Sequence, residues 1–144
     1  MNSLGSVSVN LYIDIKQLKN KEMKTKDGAT EATKKLLLHF FYNVMIKLNY
    51  YDWLINFCND NYCRIRYKVI NIDVTYNGDV RQIILHEIAH IDTAKYCNQT
   101  HNPVFWKRLE YLTQKFLGRN LDKQQKEHKK FMTTGYYSLC YKNE

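Results

Sequence analysis

Proline occurs once in the 144 residues and glycine only five times. Flexible linkers and low-complexity spacers are built from those residues, so no linker can be marked and a single domain over 1–144 is expected. No internal repeat is visible either, which excludes solenoid and propeller architectures. The apolar stretches are too short, or too broken by Lys and Asn, to span a bilayer. The start, Met1-Asn2-Ser3-Leu4-Gly5-Ser6, lacks the basic and apolar regions of a secretory signal. These absences lead to the expectation of a soluble intracellular protein, cytoplasmic or nuclear, with no membrane partner. Cysteine is scarce as well. Cys58, Cys63, Cys97 and Cys140 do not form the paired CxxC framework of a zinc finger. In a reducing compartment they are expected to be free thiols.

What is present is the composition of a folded chain, 44% hydrophobic and 14% aromatic. The net charge is +8, from 22 Lys and Arg against 14 Asp and Glu. A basic balance favours polyanions, so nucleic acid enters as a candidate partner. Lys, Asn, Ile and Tyr are abundant together, however, and a solvated lysine surface accounts for the same number.

Hydropathy patterning divides the chain into alternating elements. Val7 to Ile15 alternates with a period of two and predicts a strand. Lys16 to Lys26 reads as an exposed loop, Asp27-Gly28 as a turn and Thr30 as a helix cap. From Glu31 to Phe57 the apolar residues Leu37, Phe40, Phe41, Val44, Met45 and Leu48 recur at helical spacing, with Tyr51, Leu54 and Phe57 extending the stripe. Asn59-Asp60-Asn61 would end that helix. Tyr62 to Tyr76 predicts one or two strands, with a slip of phase near Val69-Ile70. Asn77-Gly78 turns the chain, and Asp79 with Gln82 suggests a capping box for a helix over 79–96. Cys97 to Thr100 breaks it. Asn102 as cap and Pro103 at the first position open another helix, ended by Gly118. Residues 119–133 read as a basic polar segment, and the aromatic Thr134 to Tyr141 as a last strand or a cover over the core.

The chemistry concentrates in 79–117. His86-Glu87-Ile88-Ala89-His90 is a His-Glu-x-x-His pattern on an amphipathic helix. Two histidines four apart stand one turn above each other on one face, so both imidazoles can reach one ion. Zinc in enzymes commonly takes three protein ligands and one water. His101 fits as the third, because the break at Cys97 to Thr100 lets the chain fold back and the capped helix immediately after His101 fixes its position. His39 and His128 lie outside that break. Bound Zn2+ would acidify a water and polarise a carbonyl, and Glu87 would act as general base. Composition alone yields such a pattern in about one sequence in a hundred, and its place on a capped helix makes it more specific still.

His86-Glu87-Ile88-Ala89-His90, the gap, and His101-Asn102-Pro103-Val104-Phe105-Trp106 together resemble the SprT-like zinc metalloproteases (the SprT/Spartan group). The related WLM and YgjP-like proteins have a shorter gap. The resemblance implies an intracellular peptidase acting on a protein or peptide substrate, with His86, His90 and His101 holding one Zn2+ and Glu87 as catalytic base. It implies an α+β, minimal zincin-like fold. A small, mostly antiparallel sheet would pack on a long N-terminal helix, an active-site helix and a supporting helix. Zincins bind substrate backbone along a sheet edge; the strand from Arg66 to Val74, with Ile72 and Val74, is the candidate, and Tyr136 or Tyr137 would donate to the oxyanion. Asn102 replaces the family's usual glycine, and the four-ligand zinc ribbon common in the family is missing from this chain. Two other readings stand beside this one. A metal-dependent nuclease would use the same histidines, and a DNA-binding or otherwise non-catalytic module would keep the zincin scaffold alone.

Overall fold

A computed structural model describes residues 31–58, 61–76, 78–97 and 100–133. The elements expected at Val7 to Ile15, Lys16 to Lys26 and Thr134 to Tyr141 lie outside these residues, as do Asn77, Tyr136, Tyr137 and Cys140. In chain order the fold runs α1 (Glu31–Lys47), β1 (Leu54–Cys58), β2 (Tyr62–Arg64), a 3-10 turn (Ile65–Tyr67), β3 (Val69–Asp73), α2 (Val80–Cys97), α3 (Pro103–Leu117) and α4 (Lys123–Met132). It is an α+β arrangement. Among the described residues no helix is long and apolar enough to cross a membrane.

Helix α1 buries the stripe read from the sequence, Leu37, Phe40, Phe41, Val44 and Met45. It does not continue to Phe57. Asn49 takes a left-handed φ of 62°. Its N–H bonds to the Ile46 carbonyl and the Tyr50 N–H to the Met45 carbonyl. This is the Schellman ending, in which Asn tolerates the left-handed position. Leu54 and Phe57, which extended the helical stripe by spacing, belong instead to β1.

The sheet has the order β1-β3-β2. β1 pairs with β3 in parallel, Leu54 opposite Val69, whereas β2 pairs with β3 antiparallel, Tyr62 opposite Asn71. The sheet is therefore mixed. The slip of phase is the 3-10 turn, closed by Lys68 in the left-handed region at φ 52°. Because β3 is central, Ile70, Asn71 and Ile72 are all buried, and alternation disappears there. The expected substrate edge at Ile72 and Val74 is thus corrected. Ile72 is fully buried in the middle strand, Val74 lies just past its end, and β2 is the strand that borders the cleft over the histidines.

Helix α2 runs through the centre, with every residue from Val80 to His90 buried. Val80, Ile84, Leu85, Ile88 and Ala89 pack in the core. Against it lies α3, whose Phe105, Trp106, Leu109 and Leu112 are buried. Polar side chains fix these helices in register. Asp79 Oδ1 accepts from the Arg81 backbone N–H, and its carboxylate takes Arg81 Nη2 at 2.6 Å and Arg119 Nη2 at 3.1 Å. The Gln82 side chain does not close a capping box. It donates to Thr113 Oγ1 at 2.8 Å and accepts from the Asp122 N–H at 3.0 Å, spanning from α2 to α3 and to the start of α4. Farther along, Asp92 accepts from the Tyr50 hydroxyl and from Arg108 Nε. Among the described residues Cys63 is a buried thiol and Cys58 a part-buried one, whose Sγ donates to Asn71 Oδ1 at 3.8 Å.

Candidate metal centre

His86 and His90 face the same way from α2, one turn apart. His101 arrives from the segment before α3, and that segment is set by its sequence. Asn102 is extended, its Oδ1 accepts from the Phe105 N–H at 3.1 Å, and Pro103 occupies the first turn. Both features stand as the sequence suggested. Gly118, left-handed at φ 66°, ends the helix.

The result is convergence. His86 Nε2 lies 3.0 Å and His90 Nε2 3.1 Å from His101 Nε2. One ring nitrogen from each residue lies within 4.8 Å of the others, an arrangement able to hold a metal ion. Tetrahedral bonds of about 2.0–2.1 Å to zinc would set neighbouring nitrogens about 3.3–3.4 Å apart, close to the two contacts observed. Burial holds the imidazoles neutral, leaving a lone pair on each ring. It lowers His90 to about 3 and His101 to about 4, with His101 and His128 respectively adding repulsion. His86 is pushed well down, first by burial and then by His90 and His101.

Glu87 is 3% exposed, and its Oε2 has no hydrogen-bond partner among the described residues. Burial raises its carboxyl to about 8. A cation at the three nitrogens would act in the opposite direction and favour the carboxylate. An orphaned carboxyl oxygen beside three convergent neutral imidazoles is costly without such a charge. The residues present therefore fit a divalent metal.

The site opens into a cleft of about 430 Å³ whose wall includes Tyr62 and Cys63 of β2 together with Glu87. Ile72 and Val74 do not line it. Sequence reasoning missed the far wall, which is α4. Gln125 is 4% exposed and its Oε1 lies 2.7 Å from His86 Nδ1. His128 stands outside the set of convergent nitrogens, yet its ring stacks on His86 at 6.0 Å and meets His101 at 4.7 Å. The basic polar segment is thus a helix with one face in the site. One signal could have revealed its start. Asp122 precedes Gln125 at the spacing of a capping box, and Asp122 Oδ1 accepts the Gln125 N–H at 2.9 Å. Gly78 lets this corner close. A Cβ there would come within 2.8 Å of the Tyr76 ring and 2.9 Å of Asp122 Oδ2.

Comparison with protein-family profiles, with curated proteins and with solved structures finds no match, and the site is read from its own residues.

Proposed function

We propose that the protein is a zinc-dependent peptidase of SprT-like type, and that His86, His90 and His101 hold the ion. The observation that carries this reading is the convergence of three imidazole nitrogens next to the buried, unpartnered Oε2 of Glu87. Bound zinc would supply Lewis acidity, lowering the pKa of a water towards about 7 and polarising a substrate carbonyl. Glu87 Oε2 would accept a proton from the attacking water and return it to the leaving amine nitrogen. The groups suit this task, because Glu87 Oε2 has no competing hydrogen bond among the described residues and burial holds the imidazoles neutral. A peptide in extended form would add to β2, whose Tyr62 and Cys63 line the cleft.

The +8 charge supports a second reading, in which the same scaffold binds nucleic acid or acts on proteins associated with it. One experiment separates these readings. Metal content and protein cleavage are measured with and without DNA, for the wild type and Glu87→Gln. The peptidase reading expects about one zinc per chain in both proteins, and an activity loss of about 10²–10⁴-fold in the variant. Salt-sensitive DNA binding with no hydrolysis of any protein would favour the binding module. Metal-dependent degradation of RNA but not protein would favour a nuclease.

A further inference from the structure

The strongest feature outside the ligand set is a chain of polar contacts reaching His86 from behind. Asp122 accepts the Tyr76 hydroxyl, at 2.9 Å from both carboxylate oxygens. With its proton directed there, the Tyr76 oxygen is left as an acceptor, and Gln125 lines the same cleft wall. A glutamine amide has one donating and one accepting end, and which end faces which neighbour is set by the surrounding network. Nε2 toward Tyr76 leaves Oε1 toward His86, at 2.7 Å from Nδ1. An amide oxygen can only accept, so Nδ1 of His86 carries the proton and Nε2, which faces His90 and His101, carries the lone pair.

We infer that Gln125 is a positioning residue that locks His86 in its metal-binding tautomer, with Tyr76 and Asp122 setting the orientation of its amide. The inference rests on the reading of His86 as a metal ligand. It makes α4 part of the metal centre, since His86 and Gln125, 39 positions apart in sequence, are joined by a buried hydrogen bond. Partners of this kind, which orient a ligand without touching the metal, commonly contribute 10–100-fold in affinity.

The test uses the full chain, with Gln125→Met, which keeps length but cannot accept, and Gln125→Glu, which can. Zinc affinity is measured by competition with a chromophoric chelator. In the metal-free protein, nitrogen-15 correlation spectra of the imidazoles report which nitrogen of His86 is protonated. The expected result is a Gln125→Met affinity weaker by about 10–100-fold, wild-type or tighter affinity in Gln125→Glu, and Nδ1–H in wild-type His86. Unchanged affinity in Gln125→Met, or equal weakening in both variants, would overturn the inference, as would Nε2–H in the wild type. Absence of zinc affinity in the wild type would instead reject the functional reading, and the tautomer would still decide the role of Gln125. The same wild-type spectrum decides it if Gln125→Met fails to fold.

Discussion

The Nε2 atoms of His90 and His101 lie 3.1 Å apart across eleven residues of sequence, and only His90 belongs to α2. Two neutral imidazoles can share at most one hydrogen at such a contact, and a third ring nitrogen, from His86, points to the same spot. The His101→Ala variant should therefore lose most of its zinc affinity while keeping its helical content. Chelator competition and circular dichroism check this together. Zinc held at full occupancy in that variant would reject His101 as a ligand.

Acid should unfold the metal-free protein by way of these rings. The unfolded chain keeps an ordinary histidine value of 6.5, whereas folding lowers His90 to about 3 and His101 to about 4. The folded state then binds fewer protons, so the stability linked to both rings is present above pH 6.5 and is lost as pH falls towards 4 and 3. Glu87 has the opposite sign. Its value is raised from 4.5 to about 8, and its burial becomes progressively more costly as pH rises between those limits. Urea unfolding of metal-free protein across pH 4–9 should show a fall on each side. An acid limb independent of pH below 6.5 would contradict the buried neutral rings.

Asp79 is fully buried and meets both Arg81, itself 5% exposed, and Arg119. Removing one partner of a buried ion pair typically costs about 3–5 kcal/mol, because the remaining charge loses its compensation. Asp79→Ala should lower stability on that scale in denaturant titrations. A loss below about 1 kcal/mol, the range of an exposed pair, would show that solvent reaches this corner.

Local signals in the chain were legible wherever the physics was local. Asn102, Pro103 and Gly118 mark the ends of α3, because a cap, a fixed φ and a left-handed residue act within one turn. His86, Glu87 and His90 declare themselves by helical spacing. The end of α1 was hidden, since Tyr51, Leu54 and Phe57 continue a helical spacing while Asn49 alone reverses the backbone. The central place of β3 was hidden for another reason. A mixed sheet buries Ile70, Asn71 and Ile72 alike, and strand order is a property of pairing across the chain. Gln125 and His128 escaped because a lysine-rich segment can still turn one narrow face inward. His86 is the neighbour that gives that face its meaning.

The order of the strands also sets a sequence of events. β1 and β2 each pair with β3, and β3 comes after both in the chain. Neither earlier strand has its partner until β3 has arrived between them, so β1 must wait unpaired while β2 and β3 close locally through the 3-10 turn. Asp73 ends β3 and Val80 soon opens α2. The step that completes the sheet thereby brings the first two histidines into place. His101 and then Gln125 come from still later in the chain. During synthesis, the full ligand set would emerge only after every strand of the described sheet has been made.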